Sequence, residues 1–177
     1  TQTALLKMLD IGGGDQSGPD SFRALRIVPM AISYEYEPCD NLKAEELVHQ
    51  ALELPYTKDD KLAMIRGIRD PKGRVHIGLG TPLDRELDEI VAANRNDWMR
   101  QLAQLIDQRV WEQFHLWPTH YLAADLLANS NRFAAHYSPG QVSYFMQYME
   151  KRLLEVKGDR RRLQQQFLEI YARPVWN

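Results

Sequence analysis

The chain has a single cysteine, Cys39, so an internal disulfide and a four-cysteine metal centre are both excluded, and a reducing cytosol suits this usage. No stretch approaches the roughly 18 uninterrupted apolar residues of a membrane span. The most sheet-like run, Ile27-Val28-Pro29-Met30-Ala31-Ile32, is itself broken by a proline. An excess of charge is missing too. Lys and Arg total 22 against 24 for Asp and Glu, a net charge of −2, which excludes the basic field of a general nucleic-acid binder. Gly12 to Gly18 is glycine-rich without being a phosphate loop: no Lys follows and no strand precedes it. No internal repeat is visible. With 177 residues, 44% of them hydrophobic, the chain can bury a large core without staples.

The periodicity divides the chain near residue 84. Residues 3 to 9 read as a short helix, and Ile11 to Pro19 as a loop. Ile27 to Tyr36 alternates as a strand, with Val28, Met30, Ile32, Tyr34 and Tyr36 on one face. On the other face Pro29, Ala31 and Ser33 are small enough to lie under covering helices. Pro29 cannot donate to a ladder and belongs at the strand's entrance, at an edge or at a bulge. Asp40 is placed to cap a helix over about 41 to 54, and Thr57 with Asp60 resembles a capping pair for a second helix carrying Leu62, Ile65 and Ile68. After the turn at Pro71-Lys72-Gly73, Arg74 to Gly80 alternates as a second strand, and the helical crossover between the strands allows parallel pairing.

From Thr81 onward the pattern is helical. Trp98, Leu102, Leu105, Ile106 and Val110 predict a long helix to about Phe114. Pro118 breaks it, and Thr119 is placed to cap a short helix through Leu122, Leu126 and Leu127. Ser138-Pro139 starts the next, through Val142, Phe145, Met149 and Leu153. A last helix carries Leu163, Phe167 and Ile170. The expected architecture is α/β: a partial sheet with flanking helices over 1–84, followed by an α-helical extension over 85–177. Two strands do not make a sheet that stands alone. With an opening of Thr1-Gln2-Thr3 straight into an apolar pattern, this leads us to expect a piece of a longer protein whose other strands lie upstream. Such a sheet exposes an apolar edge and face, a surface suited to a homodimer.

Several residues carry possible chemistry. His120 and Asp125 have the His-x-x-x-x-Asp spacing of an acyl-transfer base and its orienting carboxylate. On a helix, however, five residues turn about 500°, which sends the two side chains to different faces. His115 and His120 lack a third ligand at metal-site spacing, so no metal centre is assigned. Glu35, Glu37 and Asp40 gather where the first strand ends; solvation and helix capping account for them more simply than metal binding. Lys157 and Arg160-Arg161-Arg162 form a basic cluster that reads as a solvated helix face or a contact for anionic lipid. Ser33, Ser143 and Cys39 have no nucleophile signature around them, so no catalytic residue is assigned.

The strands are more specific than their periodicity. Val28-Pro29 in its hydrophobic strand, Tyr36-Glu37-Pro38-Cys39-Asp40 after it, and Gly80-Thr81-Pro82-Leu83 closing the second strand resemble, in that order, the last blocks of the phospholipid/glycerol acyltransferase superfamily. The resemblance covers residues 1 to about 84 and extends loosely into the helical tail. It implies acyl transfer from acyl-CoA or acyl-carrier protein to glycerol-3-phosphate or a lysophospholipid, without a cofactor or metal, in a cytoplasmic protein peripheral to the inner face of the membrane. In that family the His-x-x-x-x-Asp block, an arginine block and a Glu-Gly block precede the V-P strand. Here only 26 residues precede Ile27 and none of these blocks is among them, while His120 and Asp125 follow the strand and inherit no catalytic role. Only Val28 and Pro29 match a functional block, and the resemblance gives them a share in shaping the acceptor pocket. The chain is then expected to be an inactive C-terminal portion of the enzyme. The alternative from another class is a noncatalytic helical module that binds a protein partner or an anionic membrane.

Overall fold

The computed structural model describes residues 1–12, 19–57 and 59–176; the glycine-rich stretch from 13 to 18 lies outside the described residues. Along the chain run α1 (Thr3–Gly12), α2 (Pro19–Leu25), β1 (Met30–Tyr34), α3 (Asp40–Ala51), α4 (Asp60–Arg69) and β2 (Val75–Leu79). Then follow α5 (Glu86–Glu89), α6 (Arg95–Glu112), α7 (Pro118–Ala128), α8 (Pro139–Leu153) and α9 (Arg160–Ala172). Single 3-10 turns occupy Ala134–His136 and Arg173–Val175. Among the described residues the fold is therefore mostly helical, with a small two-stranded sheet. The chain forms two compact units, one from residues 1–33 and 76–115, the other from 34–75 and 116–177.

In the first unit, Leu6 of α1, Phe22 of α2, Leu87 of α5 and Trp98, Met99, Leu102 and Ala103 of α6 close a core, with the Phe22 and Trp98 rings 5.4 Å apart. Asn94 starts α6 by accepting the Asp97 N–H at 3.0 Å, the satisfaction of an orphan donor that a helix N-terminus requires. The carboxylate of Asp10 is buried here; it accepts the Ser21 hydroxyl at 2.8 Å and pairs with Arg95.

The strands run antiparallel, a correction to the parallel pairing that the helical crossover allows. The ladder fixes the direction: Gly80 N–H donates to the Pro29 carbonyl at 2.9 Å, and Glu35 N–H donates to the Arg74 carbonyl at 2.9 Å. As residue numbers rise on β1 they fall on β2, and a crossover that contains two helices can return the chain in either sense. This register puts Pro29, Ala31, Ser33 and Gly78 on one face, all of them buried. A Cβ on Gly78 would lie 2.4 Å from the Gln113 carbonyl oxygen, so the end of α6 sits directly on this face. On the opposite face Val28, Met30, Ile32, Ile77 and Leu79 are exposed, Leu79 by 66%.

The core of the second unit is built on four helices. Ala44 and Val48 of α3, Leu122, Ala123 and Ala124 of α7, Phe145, Met149 and Leu153 of α8, and Leu163, Phe167, Tyr171 and Ala172 of α9 form its core. The Phe145 and Tyr171 rings meet edge to face at 5.2 Å, an arrangement that adds to the area term. Ser138 caps α8 as the sequence predicts, its hydroxyl accepting the Gln141 N–H while the Gln141 side chain accepts the Ser138 N–H at 2.8 Å. Two other caps differ from expectation. Asp59, not Thr57, accepts the Leu62 N–H at 2.9 Å to start α4, and the Thr119 hydroxyl is diverted from capping to the Glu35 carbonyl at 2.8 Å. Asparagine Asn129 ends α7 in the left-handed conformation, with φ of 46°.

Candidate functional site

The strand motifs meet at one end of the sheet in the first unit. Beside the Gly80–Pro29 bond, Leu83 N–H donates to the Ile27 carbonyl at 3.0 Å, so the segment that closes β2 lies alongside the segment that enters β1. Pro29 has no donor to lose at this position, and its carbonyl accepts the Gly80 N–H. Pro29, Gly80 and Thr81 line a cleft of about 290 Å³ together with Glu86, Arg109 and Glu112. A neighbouring hollow of about 530 Å³ shares Thr81, Glu86 and Arg109 and adds Arg26, Asp84 and Arg85. Val28 points to the exposed face of the sheet, whereas Pro29 belongs to the cleft.

The charge of Arg109 is held between two carboxylates. Its guanidinium bonds Glu112 at 2.8 Å and lies 3.6 Å from Glu86, and hydrogen bonding to Glu112 raises its pKa while depressing that of Glu112. Its Nε is buried without a hydrogen-bond partner, as is Asp84 Oδ1. The cleft thus offers an apolar wall from Pro29, the Thr81 hydroxyl and one neutralised guanidinium. Among the described residues that line it there is no serine, cysteine or histidine. It can hold and orient a substrate.

The Y-E-P-C-D segment folds into the second unit for a different purpose. Asp40 is fully buried at the first turn of α3, and its role is larger than the cap expected of it. Its Oδ1 accepts Arg152 Nε at 2.8 Å and Asn41 N–H at 2.8 Å; its Oδ2 accepts the Tyr148 hydroxyl at 2.7 Å and the Tyr171 hydroxyl at 2.8 Å. Burial raises the Asp40 pKa against the pull of Arg152, and burial beside this carboxylate raises Tyr148 and Tyr171 as well. Burial lowers the Arg152 pKa, but attraction to Asp40 outweighs it and the net shift is upward. Arg152 also donates to the Pro38 carbonyl at 2.6 Å and pairs with Asp70 at 3.2 Å. Every polar atom of the hub is engaged, as a buried ion pair demands. A hollow of about 450 Å³ lies beside it, lined by Tyr36, Tyr144, Tyr148, Arg66, Lys151 and Glu155 among others.

The remaining candidates have structural partners. His120 is buried at the first turn of α7, where its Nδ1 accepts the Trp117 N–H at 2.9 Å. Asp125 accepts the Phe133 N–H at 2.8 Å, the Tyr137 hydroxyl at 2.7 Å and the Ser130 hydroxyl, tying down the loop after α7. The two residues serve opposite ends of one helix. Burial works to raise the Asp125 pKa, but these hydrogen bonds outweigh it and lower the net value. Glu35 pairs with Arg74 at 2.9 Å and Glu37 with Lys43 at 3.3 Å, so the three carboxylates after β1 go separate ways. The His76 and His115 rings stand 5.2 Å apart, yet among the described residues no three metal-binding side chains converge. Burial pushes the Cys39 thiol up, and its Sγ–H donates to the Ala63 carbonyl at 3.3 Å. In the basic cluster, Asp159 caps α9 and Arg160 is paired with Glu150. Among the described residues no helix is long and apolar enough to cross a membrane.

Sequence reasoning missed Arg109 and Arg152. The first hides in the charged flank of a long helix, and the second lies 112 residues from the aspartate it neutralises. No family model, curated protein or solved structure matches the chain.

Proposed function

We propose that this chain is the carboxyl-terminal portion of a glycerolipid acyltransferase, contributing the acceptor side of the site and none of the bond-making groups. The supporting observation is the backbone bond from Gly80 to Pro29, which joins the V-P strand to the G-x-P-L segment at a single polar cleft. Pro29 and Gly80 are 51 positions apart in the chain, and the acyltransferase resemblance gives both motifs to one catalytic layer. The bare apolar face of Val28, Met30, Ile32, Ile77 and Leu79 fits the same reading, because a contiguous row of large apolar side chains calls for a covering layer.

In the reaction, a base takes the proton of the acceptor hydroxyl, the oxygen attacks the thioester carbonyl, and the thiolate of coenzyme A or of the carrier protein leaves. His120 is not that base, since its Nδ1 is committed to Trp117 and it is buried. The cleft residues act on the acceptor instead: Pro29 supplies an apolar wall, and Thr81 a hydroxyl. The test is an acyl-transfer assay with glycerol-3-phosphate and lysophosphatidate, run on the 177-residue chain and on the product of its complete reading frame. Activity is expected only from the latter, with a Pro29→Gly variant raising the acceptor KM more than it lowers kcat. Activity in the short chain, or none in either, overturns the reading.

A further inference from the structure

Helix α4 is turned inside out. Its inner side carries Ala63, Arg66, Gly67 and Asp70, half-buried and small or polar, and no residue of the helix is fully buried. Its large apolar residues, Leu62, Met64, Ile65 and Ile68, all face solvent, Met64 by 64% and Ile68 by 74%. The helix is seated by polar contacts: Cys39 Sγ to the Ala63 carbonyl, and Arg66 to Glu155 at 2.9 Å. At about 100° per residue, the arc that holds Met64, Ile68, Ile65 and Leu62 spans about 160°. The charged residues within that arc are Lys61 and Arg69, both exposed. Asp70 lies on the inner side and pairs with Arg152, Asp60 stands beside the arc at its first turn, and Asp59 is occupied in capping. Lys72, just past the C-terminus, donates to the Ile68 and Asp70 carbonyls.

A water-facing helix surface that is apolar and cationic, with its acids at the edge or turned inward, matches an interfacial helix, whose apolar residues enter the acyl boundary while Lys and Arg meet anionic headgroups. We propose that the outer face of α4 is a docking surface for an anionic lipid bilayer, with Met64, Ile65 and Ile68 inserting and Lys61 and Arg69 in the headgroup layer. The proposal is independent of the acyl chemistry, because it uses neither the Pro29 cleft nor any reacting group. It also differs from a contact through Arg160 to Arg162, where Arg160 is already paired.

Flotation with vesicles of 30% phosphatidylglycerol in phosphatidylcholine tests it, with pure phosphatidylcholine vesicles as the comparison. The chain is expected to float with the anionic vesicles and much less with the neutral ones. Lys61→Gln with Arg69→Gln should weaken binding about 25-fold, from about fivefold for each cation near the surface. Met64→Asp with Ile68→Asp should abolish it, and Arg161→Gln with Arg162→Gln should change it less than twofold. Because α4 buries none of its residues, these variants should keep the parent's melting temperature, which circular dichroism would verify. No flotation of the parent chain, binding unaltered by the Met64 and Ile68 changes, or a dimer in light scattering that those changes dissolve would overturn the proposal.

Discussion

Helices α4 and α9 begin alike and end in different environments. Each is capped by an aspartate, Asp59 or Asp159, that accepts an N–H three residues on at 2.9 Å, and each carries a regular apolar stripe with basic residues around it. In α9 the stripe of Leu163, Phe167 and Tyr171 is buried against α3, α7 and α8. In α4 the stripe of Leu62, Ile65 and Ile68 faces water, and the helix is held by hydrogen bonds from its polar side. Capping and periodicity therefore determine that a helix forms; the supply of a complementary surface determines which way it rolls.

The sharpest way to break this comparison is a pair of truncations. Phe167→Ala should cost about 3–5 kcal/mol by leaving a cavity in the α9 core, while Ile68→Ala should stay within about 0.5 kcal/mol. Urea midpoints at constant slope would measure both, and equal losses would mean that α4 packs as α9 does. Polar anchoring is probed at the hub. Arg152→Met should cost about 3–5 kcal/mol because it strands the Asp40 carboxylate, and adding Asp40→Leu should recover much of that. A double variant no better than the single one would show that Arg152 stabilises through packing alone. The smallest effect is expected from pH. The folded pKa of Asp125 is depressed relative to about 3.9 in the unfolded chain, so its contribution is complete above that value and is lost as pH falls through the folded pKa. Asp125→Asn should flatten the acid limb of thermal stability measured between about pH 5 and 2, and an unchanged limb would assign acid sensitivity to other carboxylates.

What the sequence made legible was local. Ser138, Pro139 and Gln141 announce α8, the 3–4 spacing of Leu163 and Phe167 announces α9, and the small face of Pro29, Ala31 and Ser33 announces a covered strand, because each signal is complete within a few residues. The direction of β2 was not legible, since the crossover permits both senses and only the bonds between Pro29 and Gly80 or Glu35 and Arg74 choose one. Asp40 read as a cap because its true partner, Arg152, is remote in the chain. The roll of α4 was illegible for the same reason: Leu62, Ile65 and Ile68 signal burial, and nothing near them reports that the packed side is the one bearing Ala63 and Gly67. Of the candidate cleft, Pro29, Gly80 and Thr81 were readable as motif residues, whereas Arg109 arrives from a helix whose pattern concerns only its own core.

The contact between Gly78 and the Gln113 carbonyl has a practical consequence for anyone who would redesign this protein. The sheet and the end of α6 are spaced by the thickness of a hydrogen atom, not of a methyl group, so this residue acts as a gauge block for the layer. Replacing it with alanine would jack the helix off the strand and splay the cleft around Pro29, whereas decorating the outer side of the same strand at Ile77 or Leu79 would leave that spacing alone.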